Sequence, residues 1–304
     1  MAHGSGNVPN LKVYYQNVEG LRTAYKQEQL KNSLKNCETI NLIVFVETNF
    51  DKEIETAEIF DNDFIVIRRD RQEHAVRGHG GGLLLAYPKS SAIKSVKICD
   101  DFSSGVDDKK EVEDLWLTIN LTNGENLHLC IVYLRPQCRK EYFEQFFMKL
   151  KTNVENRKSE RFLIVGDFNF DDYRQFKAKV ITSKKKGTKL DVMDKCTQGL
   201  KQINRIHNKD DKVLDMIFTN IKGSVELSTY QLVKAQDKHP PLIVNLNVHK
   251  AEETKIDKNT RLEDELKSLK KSFEKFKISH DEDIKELKNE IRILRGILDD
   301  EGIL

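Results

Sequence analysis

Through roughly the first 250 positions, apolar residues come in short runs bounded by polar and turn residues. Such runs read as strands. They cover Leu11–Tyr15, Leu42–Val46, Phe64–Ile67, Leu83–Ala86, Leu115–Leu121, Leu127–Tyr133, Phe162–Val165, Val213–Phe218 and Leu242–Val248. Helical spacing falls between some of them, over Ala24–Asn36, Lys140–Asn153 and Leu190–Gln202. Segments 115–121 and 127–133 are joined by Thr-Asn-Gly-Glu-Asn, which predicts a hairpin. Hairpins alternating with helix-spaced strands predict a mixed α/β domain over 8–250.

The pattern changes after Lys250. Residues 251–261 form a polar linker, and 262–298 carry apolar residues in steps of four and three. Leu262, Leu266, Leu269, Phe273 and Phe276 make one half of the seam; Ile284, Leu287, Ile291, Leu294 and Leu298 make the other. Two consecutive four-residue steps through His280 resemble a stutter. The segment predicts a coiled-coil helix of about ten turns whose seam needs a partner. Self-association or a partner helix is the expected use of that seam, with packing back on the domain as the alternative.

Several strands end in polar residues suited to phosphate or metal chemistry. Phe162–Val165 reads as a strand buried on both faces; Gly166 then loosens the backbone, and Asp167 and Asn169 emerge pointing the same way. Gln16, Asn17 and Glu19 follow the first strand, Glu47 the second, and Tyr133 and Arg135 close the 127–133 run. Asp215 sits inside an apolar strand, where an unpaired carboxylate is costly. His239, just before two prolines, is its natural partner: Asp215 would fix its tautomer and favour its charged form.

Composition narrows the class. The 304 residues carry 51 basic and 49 acidic side chains, so any nucleic-acid surface must come from local clustering. Five scattered cysteines without a Cys-x-x-Cys pair argue against a disulfide scaffold or a zinc site and fit a reducing compartment. No apolar run reaches membrane length and the first ten residues lack a signal-peptide core. The expectation is a soluble intracellular protein, nuclear or cytoplasmic.

Taken in order, Asn-x-x-Gly-Leu-Arg, Glu-Thr, a Gly triplet, Tyr-x-Arg-Pro, Gly-Asp-Phe-Asn, Leu-Asp-x-x-Phe-Thr-Asn and His-x-Pro resemble the endonuclease/exonuclease/phosphatase family. Within it, segments 68–87 and 202–220 resemble the apurinic/apyrimidinic-type endonuclease domains of non-LTR retrotransposons. The resemblance implies a four-layered α/β sandwich, two mixed β-sheets face to face with helices outside. It implies a Mg²⁺- or Mn²⁺-dependent endonuclease that nicks DNA. Glu47, the principal ligand, and Asn17 would hold or neighbour the metal. Asp167 would orient or deprotonate the attacking water, and Asn169 would hold that water or a phosphate oxygen. Tyr133 would contact the scissile phosphate, and His239, braced by Asp215, would stabilise charge on phosphorus. Arg69, Arg71, Arg77, Arg135 and Asn204 would contact nucleic acid.

One position departs from the family pattern. Lys238 stands where an Asp usually precedes the His, with Asp237 one residue earlier. Asp237 is expected to replace the missing ligand through a bulge; otherwise Lys238 would repel the metal and impair catalysis. Two alternatives to the nuclease follow. One is a domesticated, catalytically impaired protein that binds nucleic acid and oligomerises; the other is a phosphatase or phosphodiesterase acting on a lipid headgroup.

Overall fold

Each strand of the sequence pattern has a physical counterpart in the computed structural model. It describes residues 10–35, 37, 39–70, 81–105, 111–170, 188–234, 237–248, 266–270, 273 and 281–300. One six-stranded sheet contains β1 (Leu11–Asn17), β2 (Leu42–Val46), β3 (Phe64–Arg69), β4 (Leu83–Pro88), β11 (Gly223–Leu227) and β12 (Leu242–Leu246). Its spatial order is β11-β12-β1-β2-β4-β3. The second contains β5 (Ile93–Ile98), β6 (Val112–Leu121), β7 (Asn126–Leu134), β8 (Arg161–Asp167), β9 (Lys201–Gln202) and β10 (Asp215–Thr219). Its order is β5-β6-β7-β8-β10-β9.

Both sheets are mixed. In each, one parallel pair sits at the centre, β1 with β2 and β7 with β8, and the remaining pairs are antiparallel. A parallel pair needs a crossover, and helices α1 (Ala24–Leu34) and α2 (Lys140–Glu155) supply the two. Thr23 caps α1 by accepting from the Lys26 amide, and Thr188 caps α3 (Lys189–Cys196) by accepting from the Asp191 amide.

The period-two alternation of the strands sorts their side chains into three cores. Val13, Tyr15, Val44, Leu85, Leu129, Ile131, Leu163, Val165 and Ile217 face inward between the two sheets. Phe162, Ile164 and Phe218 face outward onto Phe143, Phe146, Phe147 and Leu150 of α2. Tyr14, Ile43 and Phe45 face the other way, onto Leu30 and Leu34 of α1. A strand covered on both faces must be apolar throughout, and this explains the unbroken runs at 42–46 and 162–165. The expected four layers are therefore present.

Strands β5, β9 and β11 have no clear trace in the hydrophobic pattern. Each lies at a sheet edge or beside it, β5 with a bulge between Ile93 and Ser95, and β9 is two residues long. Of β11, only Val225 is even half-buried. The helical pattern over 190–202 ends early, at Cys196, and its last residues become β9.

The chain divides into two units, Met1–His249 and Lys250–Leu304. The linker 251–261 lies outside the described residues. In the second unit α4 spans Asp281–Asp300. The Lys288 ammonium stands 6.0 Å from the centre of the Phe273 ring. Helix also covers 266–270, and residues 262–265, 271–272 and 274–280 of the expected coiled-coil helix lie outside the described residues.

Candidate active site

At one end of the sandwich the inward-facing positions change from apolar to polar on both sheets. On β8 the inward series Leu163, Val165 continues to Asp167. On β10 it runs from Ile217 back to Asp215, and on β7 from Ile131 to Tyr133. On β1 it runs Val13, Tyr15, Asn17. Register joins these ends: Tyr133 pairs with Asp167 and Asp167 with Asp215. The parallel strands bring their carboxyl ends here, and antiparallel β10 and β12 bring their amino ends. Thus the alternation that builds the core also aims the polar groups.

Asp167 is fully buried and accepts three kinds of donor. Its Oδ1 receives the Asn169 backbone N–H at 2.9 Å; its Oδ2 receives the side-chain amides of Asn169 at 2.9 Å and Asn17 at 3.1 Å. The Asn17 amide also donates to Glu47 Oε1 at 2.8 Å, which ties the two sheets together through their acids. Asp215 Oδ2 lies 3.0 Å from His239 Nδ1, the partnership expected from sequence. His239 Nε2 lies 3.8 Å from Asp167 Oδ2. Tyr15 donates its hydroxyl to Asp215 Oδ1 at 2.6 Å. Asn204 is 1 % exposed; its amide donates to the Asp215 carbonyl at 2.6 Å and its oxygen accepts the Ile206 amide.

Backbone strain accompanies these contacts. Glu19, Glu47, Asn49 and Asn169 all adopt positive φ, between 45° and 56°. Left-handed backbone in non-glycine residues gathers at functional sites, where neighbouring structure enforces it. Gly166 serves a different need from the expected loosening. A Cβ there would stand 1.8 Å from the Val132 carbonyl oxygen, so glycine is required for β7 and β8 to pair. The two described glycines of the triplet, Gly81 and Gly82, also have positive φ, and the Gly82 amide donates to Glu113 Oε2 at 2.7 Å.

Two of the acids, Asp167 and Glu47, have raised proton affinity. Burial pushes the Asp167 carboxyl well above its ordinary range, and Asp215 and Glu47 add to the rise while His239 opposes it. Burial also raises Glu47, against the Asn17 hydrogen bond and His239. For His239 burial favours the neutral ring, but the charge and hydrogen bond of Asp215, with Asp167 and Glu47, outweigh it and lift the pKa to about 10. His239 is therefore an imidazolium at neutral pH. Ligand atoms of Asp167, Asp215 and His239 lie within 4.8 Å of one another. A charged imidazole cannot ligate, so His239 stands between the two acids as a hydrogen-bonded cation. Glu47 is the carboxylate that both lines the cleft and carries this unfavourable like-charge load. A hard divalent cation with oxygen ligands fits that donor set.

Above the acids lies an open cleft of about 600 Å³ lined by Glu19, Glu47, Tyr133, Arg135, Asn169, Asp210, Lys212, Lys238 and His239, among others. Six residues expected from sequence thus meet at one place: Asn17, Glu47, Tyr133, Asp167, Asp215 and His239. Asn169 and Arg135 join them, although both Asn169 amide hydrogens are taken, by Leu134 O and Asp167, leaving only its oxygen for a ligand.

Three expectations are corrected. Asp237 does not reach the cleft; its side chain is 79 % exposed, lies 3.9 Å from the Lys209 ammonium and lines a neighbouring cavity. Its neighbour Lys238 lines the cleft instead. Arg69 is not a free nucleic-acid contact: it donates to the Asp114 carbonyl at 2.6 Å and to Asp100 Oδ1 at 2.5 Å, which binds β3 to the opposite sheet. Asn204 is likewise spent on the backbone it holds. Arg71 and Arg77 lie outside the described residues. Sequence reasoning missed Tyr15, whose signal was its place two residues before Asn17 on the same strand face, and Lys212 as a cleft residue.

No family model matches the chain and no curated protein matches it. Solved structures do. An AP endonuclease from Leishmania major, LMAP, superposes with a TM-score of 0.56 at 14 % identity, over 80 % of this chain and 89 % of that one. A Bacteroides thetaiotaomicron protein of the endonuclease/exonuclease/phosphatase family gives 0.52 at 13 % identity, over 78 % and 97 %. TDP2 from D. rerio gives 0.51 at 11 % identity, over 79 % and 99 %. The chain has the endonuclease/exonuclease/phosphatase fold. Within that fold the polar end of the sandwich is the candidate active site, because there acids from both sheets meet directly beneath one cleft. No helix among the described residues is long and apolar enough to cross a membrane.

Proposed function

We propose that the protein is a metal-dependent phosphodiesterase that nicks DNA. The observation that carries this reading is the convergence of Asn17, Glu47, Tyr133, Asp167, Asp215 and His239 from two sheets on one cleft. The TDP2 structure contains a single-strand DNA product, which supports nucleic acid as the substrate class for this fold. Segments 68–87 and 202–220 support the retrotransposon-type endonuclease in particular.

A phosphodiester is already anionic, so the site must offset charge and supply an activated water. Glu47, with Asn17 beside it, would hold Mg²⁺ or Mn²⁺, which supplies Lewis-acid neutralisation of the phosphate. Asp167, whose raised proton affinity suits a base, takes the proton of the attacking water. Asn169 offers its oxygen to that water. As the water oxygen bonds phosphorus, the P–O bond to the leaving sugar oxygen breaks and that oxygen takes a proton from solvent. His239 presents Nε2–H to the charge developing on the phosphate oxygens, and Asp215 with Tyr15 keeps the ring oriented. Tyr133 and Arg135 line the cleft where the phosphate enters.

Supercoiled plasmid tests the reading directly. The parent chain should nick it in Mg²⁺ or Mn²⁺ and stop in EDTA, and Asp167→Ala and His239→Ala should each lose about 10²–10⁴ in rate. Nicking by either variant at the parent rate would overturn the assignment. A second reading draws on Lys238, a cation lining the cleft where the family pattern has a carboxylate. DNA binding by the parent without nicking in either metal would favour an impaired nucleic-acid-binding protein.

A further inference from the structure

Asp237 and Lys238 are neighbours that serve different cavities. Lys238 lines the active-site cleft beside His239, whereas Asp237 lines the adjoining cavity of about 390 Å³ with Asn208, Tyr230 and Pro241. The main chain is held on both sides of Lys238: the Lys209 amide donates to the Asp237 carbonyl at 3.4 Å. Asn208 donates its side-chain amide to the Lys238 carbonyl at 3.0 Å, and His239, the next residue, is pinned by Asp215 at 3.0 Å. Exchanging the two side chains would need an inserted bulge and the loss of those bonds. Among the described residues the Lys238 ammonium makes no hydrogen bond or ion pair, although Asp237 beside it does pair with Lys209. An exposed ammonium on the wall of a cleft floored by acids is therefore available to a ligand. Its chemistry is that of a compact point charge that binds phosphate oxygens.

We propose that Lys238 is a phosphate-contacting residue of the cleft, pairing with a backbone phosphate of the nucleic acid. This rests on the nuclease reading above. Besides the His239 imidazolium, three cations, Arg135, Lys212 and Lys238, share the cleft with Glu19, Glu47 and Asp210. Lys238 then does the opposite of a metal ligand: it brings positive charge of its own to the phosphate, where Asp237 brings none.

Binding measured in EDTA separates this role from catalysis. Anisotropy of a fluorescein-labelled DNA duplex over a salt series should show a slope of log affinity against log salt lower by about 0.9 for Lys238→Ala, the loss of one phosphate contact. Lys238→Arg should restore it, and Asp237→Asn should leave the slope unchanged. In parallel, inorganic phosphate should raise the melting temperature of the parent more than that of Lys238→Ala. An unchanged slope in Lys238→Ala overturns the proposal while DNA binding by the parent keeps the nuclease reading. Equal and opposite shifts in Lys238→Ala and Asp237→Asn would assign the effect to net charge and overturn it too. A parent that binds no DNA, yet loses phosphate stabilisation with Lys238, sinks the DNA reading and keeps the phosphate contact.

Discussion

Single residues at this site answer to more than one constraint, and Tyr15 shows it. Its hydroxyl holds Asp215, and burial with the charge of Asp215 raises its own pKa well above the ordinary value. Tyr15→Phe removes a bond to a charged acceptor. The variant should lose about 1.5–3 kcal/mol in urea unfolding. A loss below about 0.5 kcal/mol would show that water replaces the hydroxyl. His239 carries a pH signature as well. Its folded pKa, about 10, lies above the ordinary 6.5, so its contribution to stability is full below about pH 6.5 and is lost as pH rises toward 10. In metal-free protein the unfolding free energy should fall across that window, and His239→Gln should flatten the fall. An equally steep fall in the variant would place the titrating group elsewhere.

At the scale of elements, glycines and cross-sheet ties separate packing from function. Gly166→Ala puts a methyl 1.8 Å from the Val132 carbonyl, one residue pair from the site end of the β7–β8 ladder. It should cost about 3–5 kcal/mol or prevent folding, since the strands must part. Gly124 turns the β6–β7 hairpin with φ of 86° and has nothing near its absent Cβ. Gly124→Ala should cost only about 1 kcal/mol, the strain of a left-handed alanine. Equal losses in the two variants would refute the steric account. Arg69 belongs here rather than to the ligand site, because it ties β3 to Asp114 on β6. Arg69→Ala should lower stability by about 1–3 kcal/mol and leave the salt slope of DNA binding unchanged. A shallower slope would restore it as a phosphate contact.

For the whole molecule, the division after His249 makes a prediction about independence. All three cores and every described residue of the candidate site lie within Met1–His249; Leu266 and Leu298 of the second unit belong to none of them. A chain ending at 249 should therefore melt cooperatively and nick at the full-length rate. Loss of cooperative melting on truncation would mean the second unit supplies part of the domain's stability. In that unit Ile293 and Ile297 remain exposed, at 57 % and 40 %. They lie off the heptad seam read from sequence, whose Leu298 is buried.

The sequence by itself determined the strands buried on both faces, because a strand with apolar cover on each side must be apolar at every position. It also determined the acids that end those strands, since Asp167, Asp215 and Glu47 interrupt apolar runs where a charge needs a reason. The Asp215–His239 pair followed from that same cost. Edge strands β5, β9 and β11 were not legible: one neighbour and one covered face leave little pattern to read. Side-chain destination was the other thing only the tertiary structure decided. Whether Arg69 meets a ligand or Asp114, and whether Asp237 or Lys238 faces the cleft, depends on partners distant in sequence and on where Asn208 and Asp215 fix the chain. Local pattern sets which face of a strand a residue takes; the sheet packed against that face decides what it meets.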